Sequence, residues 1–173
     1  IYAQYTEVGN FVVIYSAVGA DEETIPTDNT QYNIAETSII KIPNQEPKKL
    51  GYTFEGWKTG TDDTVYKYGT QNDTYTVPND INGAITFIAQ WSINEYEITY
   101  ELNGGINAEN APVSYTIETD TITLPVPTKD GYNFEGWYTD AAFENAVAAI
   151  AKGSVGDMVL YAKWSEKDMA VYK

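Results

Sequence analysis

Two glutamates stand in nearly identical settings, Glu55 within GYTFEGW (51–57) and Glu135 within GYNFEGW (131–137). A carboxylate pair is the acid/base equipment of glycoside hydrolysis, and it works only when both groups flank one sugar-binding cleft. Here the heptapeptide recurs with one position changed, which assigns each glutamate to its own structural unit, far from the other. A catalytic motif is needed once per site and a packing motif once per unit, so the expectation is a chain with no catalytic residues. Acids also cluster at Asp21-Glu22-Glu23 and at Asp62-Asp63. Oxygen ligands of this kind suit calcium, but neither cluster has the ordered ligand spacing of a calcium loop, so solvated loop acids are expected, with no metal and no cofactor. Tyr66, Tyr68 and Tyr75 offer rings for glycan or protein contact, and equally for pairing across strands; their spacing leaves both readings open.

The elements that would position such groups are written in the composition. The chain has 173 residues, 43% hydrophobic and 14% aromatic, with 15 Tyr, 13 Gly and 7 Pro. That is enough for one ordinary domain or two small ones, and the mixture is that of short strands broken by turns. Twenty-five acidic residues face ten lysines, for a net charge of -15, and there is no arginine. Nucleic acid is therefore not an expected partner, because its recognition needs a basic stripe. There is no Cys and no His, which removes thiol nucleophiles, imidazole catalysis, Cys/His zinc sites and disulfide staples together. No apolar run approaches the roughly 20 residues that span a bilayer, so this segment is not expected to insert in a membrane, and any export or anchoring signal is expected to lie outside it.

Repetition extends well beyond the heptapeptide. QYNIAETSIIKIPNQEPKKLGY (31–52) matches SYTIETDTITLPVPTKDGY (114–132), FVVIYSAVGADEETIP (11–26) matches YEITYELNGGINAENAP (96–112), and TVPNDINGAITFIAQW (76–91) matches AIAKGSVGDMVLYAKW (149–164). Each unit closes on a Trp. The ends follow the same grammar: IYAQYTE at 1–7 resembles FIAQWSI and LYAKWSE, and the terminal MAVYK aligns with FVVIY and EITY. The expected organisation is a last strand of a preceding repeat at 1–7, a first repeat at 8–93, a second at 94–166, and the start of a following repeat at 167–173. The first repeat is about seven residues longer between its two Trp, which predicts an enlarged loop or hairpin near 60–75.

Within a unit the alternation of Glu97, Thr99 and Glu101 with Ile98, Tyr100 and Leu102 predicts a half-buried strand. Asn103-Gly104 suits a tight turn; the first unit has Val18-Gly19 there, so the turn type is expected to differ. SYTI (114–117) and TITL (121–124) read as two more short strands. AFENAVAAIAKG (142–153) has helical spacing and a capping Asp140, yet its counterpart contains TYTVP, with Pro78 opposite Ala151. An extended or irregular segment, with at most one helical turn, is the expectation. In the heptapeptide, Tyr52, Phe54 and Trp57 supply large core side chains, and Gly56 and Gly136 suit a bulge or a close backbone approach.

Taken together, YEITYELNGG, PTKDGYNFEGWYTD and LYAKW resemble the Listeria-Bacteroides repeat, the internalin-type B-repeat found in tandem on bacterial surface proteins. The second unit matches throughout; the first keeps GYTFEGWKT and FIAQW but departs at the NGG turn and in its longer loop. The resemblance implies a mostly β to α+β fold, two tandem small β-grasp-like (ubiquitin-like) repeats with little helix. It also implies an extracellular, bacterial cell-surface location and a role as a non-catalytic spacer or adhesive element, with no family catalytic residues to carry over. Expected partners are neighbouring repeats of the same chain and host or cell-surface proteins or glycans. A carbohydrate-binding module of a secreted enzyme is the alternative.

Overall fold

The computed structural model describes residues 9–60, 62–81 and 83–168. The strands expected at 1–7 and within 167–173 fall on positions outside the described residues. Cα proximity divides the chain into two compact units, Ile1–Ser92 and Ile93–Lys173. Each has its own core.

In the first unit, strand β1 (Asn10–Ser16) turns Phe11 and Val13 inward while Val12 and Ile14 face water. It pairs antiparallel with β2 (Gln31–Asn33) and parallel with β6 (Gly83–Ile93), in a register running from Phe11 opposite Gly83 to Ser16 opposite Ile88. Strand β4 (Tyr52–Lys58) lies on the other side of β6, so the order is β2-β1-β6-β4. A separate ribbon pairs β3 (Ile39–Lys41) with β5 (Thr74–Thr76). Its Ile40 and Tyr75 join Phe11, Val13, Phe54, Trp57, Ile85 and Phe87 in one buried cluster. A parallel pair needs a long crossover, and here the ribbon and β4 form it.

The second unit repeats the plan. Strand β7 (Tyr96–Glu101) runs parallel to β13 (Met158–Glu166), with Met158 opposite Ile98 and Tyr161 opposite Glu101. Strands β8 (Ser114–Tyr115), β10 (Tyr132–Tyr138) and β11 (Ala146–Val147) complete the order β11-β10-β13-β7-β8. The ribbon is β9 (Ile122–Thr123) with β12 (Ala149–Ile150). Ile98, Tyr115, Leu124, Trp137, Ile150, Leu160 and Ala162 form the core. The fold is thus mostly β; the helical element among the described residues is a 3-10 turn at Glu22–Thr24.

The AFENAVAAIAKG segment is irregular at 142–145 and extended at Ala146–Val147 and Ala149–Ile150, as β11 and β12, because both strands find partners in ladders that the other unit also builds. The extra length of the first unit lies at 67–73, after an isolated bridge between Trp57 and Tyr66 that occupies the place of the Trp137–Val147 pairing. Turn chemistry also differs as the residues suggest. Ala20 N–H donates to Ala17 O (3.1 Å) and Gly105 N–H to Leu102 O (3.0 Å). In the second turn Asn103 and Gly104 both have positive φ (49° and 85°), whereas in the first only Gly19 does (79°). These are the patterns of type I′ and type II turns.

Candidate functional site

The two heptapeptides are parts of the core. Trp57 and Trp137 are buried at 1% and 3% exposure, while Trp91 and Trp164 are half-buried at the edge of each cluster. Phe54 meets Trp57 and Trp91 edge-on, and Phe134 meets Trp137 and Trp164 in the same way. The Trp137 indole donates to Pro125 O and that of Trp164 to Leu102 O. Gly56 and Gly136 carry φ of 139° and 131°, and the register of β10 on β13 slips between Phe134 and Gly136, as a bulge requires. Of the two, the close approach is at Gly56, where a Cβ would lie 2.8 Å from Tyr66 O; at Gly136 it would meet only the Tyr138 ring, at an ordinary 3.9 Å.

Outside the core each unit repeats a second device. Lys49 Nζ lies 4.1 Å from the centre of the Tyr52 ring and 5.8 Å from that of Trp91; Lys129 Nζ lies 4.1 Å from Tyr132 and 5.9 Å from Trp164. Lys129 also donates to Asn103 O (2.8 Å). Each lysine packs its stem against the turn glycine, Gly19 or Gly104, so a charged side chain covers the end of the core.

Glu55 and Glu135 are each engaged within their own unit. Glu55 accepts a hydrogen bond from Ser92 Oγ (2.6 Å), and Glu135 accepts one from Ser165 Oγ; each ties two strands of its own unit. Asp62 accepts from Thr64 N–H (2.8 Å) and from the Tyr66 hydroxyl (3.0 Å), and Asp63 faces Lys58 at 3.5 Å. Glu22 and Glu23 begin the 3-10 turn. Among the described residues no three acids converge on one point. Of the three tyrosines offered as contact rings, Tyr75 is buried at 4%, Tyr66 is half-buried against Tyr75 and Phe87, and Tyr68 is exposed. The ribbon thus places Tyr75 in the core, not on an exposed face.

One concave surface in the second unit has a different character. Asn103, Lys129, Tyr132, Phe143, Tyr161, Lys163 and Trp164 line most of a cleft of about 520 Å³. Phe143 has φ of 57°, a left-handed conformation that is uncommon for a bulky residue and costs of order 1–3 kcal/mol. Asp140 holds it there: its carboxylate accepts the backbone N–H groups of Glu144 (3.1 Å) and Asn145 (2.8 Å), while Phe143 N–H donates to Asp140 O (3.2 Å). These backbone donors, from Glu144 and then Asn145, hold the Asp140 carboxyl below its ordinary range. Lys163 Nζ lies 5.1 Å from the Tyr138 ring centre and 5.8 Å from that of Phe143. Among the described residues neither Lys129 nor Lys163 makes an ion pair; the paired lysines are Lys58, Lys67 and Lys152.

The Listeria-Bacteroides repeat domain matches the chain twice, at residues 11–90 and 96–163. The chain belongs to this family. Its two Listeria-Bacteroides repeats are in tandem, each match covering one mixed sheet with its ribbon. Among similar proteins is one from Evansella cellulosilytica, provisionally described as a Gly-rich membrane protein, 31% identical over 99% of this chain and 19% of that protein. Internalin H of Listeria monocytogenes is 33% identical over 80% of this chain and 24% of its own length. The chain therefore spans a quarter or less of these relatives. Among solved structures, domains 3–4 of the Streptococcal High Identity Repeats in Tandem from a cell surface protein align over 92% of this chain and 99% of theirs. Identity there is 11% and the TM-score 0.29, too low to carry an argument.

The cleft of the second Listeria-Bacteroides repeat was not signalled by its residues. Tyr161 and Lys163 alternate with Leu160 and Ala162, which are core, so they read as an ordinary solvent face. Phe143 sits in a segment with helical spacing, and nothing in AFEN announces a left-handed Phe. The usable signal was a difference between repeats: Ile88 and Gln90 stand where the second repeat has Tyr161 and Lys163.

Proposed function

We propose that the chain is a pair of non-catalytic, load-bearing structural repeats from an exported bacterial cell-surface protein, acting as a spacer. The supporting observation is the parallel pairing of the first and last strands of each unit, β1 with β6 and β7 with β13. The chain enters a unit at the start of one strand and leaves at the end of its parallel neighbour. Tension along the chain therefore shears the whole ladder at once, instead of peeling it bond by bond. A spacer under load benefits from that geometry, because resistance to pulling is set by the rate of forced unfolding and not by equilibrium stability.

Membership of a tandem-repeat family and the description of one relative as a membrane protein support the location. The parallel central pair, flanked as β2-β1-β6-β4, supports the β-grasp-like description. Glu55 and Glu135, each engaged with its own serine, support a structural role for the carboxylates.

Single-molecule pulling tests the reading. The chain has no cysteine, so introduced thiols are unambiguous handles. Handles at Glu95 and Lys167 load β7 and β13 from opposite ends; handles at Ile106 and Lys167 load them from the same end. The expected result is a clearly higher unfolding force in the first geometry. Equal forces would remove the basis for a load-bearing role.

A further inference from the structure

The cleft in the second repeat combines three features that the first repeat lacks. Phe143 is held in a strained backbone conformation by the Asp140 loop, Tyr161 adds a second half-buried ring, and Lys163 brings an ammonium group without a carboxylate partner among the described residues. Lys129, Tyr132 and Trp164 recur in the first repeat as Lys49, Tyr52 and Trp91, so they belong to the shared frame. Phe143, Tyr161 and Lys163 are what distinguishes this place. Backbone strain of this kind persists where the surroundings over-determine it, and it gathers at ligand clamps.

The chemistry on the walls restricts the ligand. Half-exposed rings offer flat apolar faces, the tyrosine hydroxyls offer hydrogen bonds, and the two ammonium groups offer a counter-charge. A cleft of about 520 Å³ falls in the range of small-ligand sites, roughly 300–1,000 Å³. A protein with net charge -15 repels a polyanion at long range, so the favoured anion is a single carboxylate carried on a ring that is otherwise neutral. We propose that the cleft formed by Phe143, Tyr161, Lys163 and the Lys129–Tyr132–Trp164 frame binds one carboxylated pyranose residue of a glycan, a uronate type of sugar. Its C–H face lies against the aromatic rings and its carboxylate against Lys163. The site stands independently of the load-bearing role, since it uses none of the parallel ladder's hydrogen bonds.

Amide-resolved NMR titration of the full chain tests this with three probes at constant ionic strength: methyl glucuronide, methyl glucoside and acetate. The expected result is saturable shifts at 141–143 and 161–164 with the glucuronide, with binding of the glucoside and of acetate weaker by about tenfold or more, the scale of one charge-assisted hydrogen bond. Lys163→Gln should abolish the preference for glucuronide over glucoside. Phe143→Gly, which suits the left-handed backbone, should weaken both sugars, with unchanged shifts in the remaining amides showing that each variant is folded. Equal binding of glucoside would overturn carboxylate recognition, and equal binding of acetate would overturn sugar recognition. Shifts lying elsewhere, or no saturable shift, would dismiss the site.

Discussion

Trp137 does two jobs with one side chain. Its rings fill the second core at 3% exposure, and its indole N–H satisfies the carbonyl of Pro125. Truncation to Ala is expected to cost about 3–5 kcal/mol through lost burial and a cavity, enough to threaten a unit of ordinary marginal stability. Trp137→Phe keeps much of the packing but leaves the Pro125 carbonyl without its donor, for about 1–3 kcal/mol. Urea unfolding followed by NMR of second-unit amides separates the two; a Phe variant as unstable as the Ala variant would show that the hydrogen bond, not the volume, dominates. The bulge glycines offer a complementary comparison. Gly136→Ala meets only the torsional penalty, of order 1–3 kcal/mol, whereas Gly56→Ala also drives a Cβ against Tyr66 O and Val65. Gly56→Ala should be the more destabilising in the same experiment, and the reverse order would contradict the close approach. The glycine bulge was legible in the sequence because Gly following an aromatic-rich strand start has few other uses. The burial of Tyr75 was not, since TYT alternates equally well with either face inward and only the pairing of β5 with β3 decides.

At the scale of elements, the loop from Asp140 to Asn145 is built on one carboxylate. The backbone donors of Glu144 and Asn145 hold the Asp140 carboxyl below the ordinary value of 3.8. A depressed folded value means that the contribution to loop order is fully present above pH 3.8 and is lost as pH falls through the lower folded value. The amides of Glu144 and Asn145 should therefore titrate with a midpoint below 3.8, and Asp140→Asn should erase that transition. A midpoint at or above 3.8 would contradict the capping geometry. The same loop marks the limit of what residue patterns convey. Comparison of the two units correctly set β-pairing above helical spacing for 142–153, because Pro78 and the β-branched residues of TYTVP exclude a helix in one copy. Nothing comparable exists for Phe143, whose left-handed backbone follows from Asp140 hydrogen bonds that only the folded loop creates.

For the molecule as a whole, the two cores share no residue. A segment spanning 94–166 should fold alone, with dispersed amide signals, and Trp57→Ala in the full chain should collapse first-unit signals while leaving second-unit signals in place. Loss of both sets together would show that the units depend on each other. Duplication made this organisation readable: two imperfect copies expose which residues recur for packing, such as Phe54 and Phe134, and which differ.

Both units leave their common frame just after the heptapeptide Trp and rejoin it on that strand, through the Tyr66–Trp57 bridge in one and the Val147–Trp137 and Ala146–Tyr138 pairs in the other. Between and beyond those fixed points lie the longer 67–73 stretch of one unit and the Phe143 loop of the other. A segment exchanged from one repeat to the other between the heptapeptide and the closing Trp strand would carry such a loop with both of its anchorages already in place.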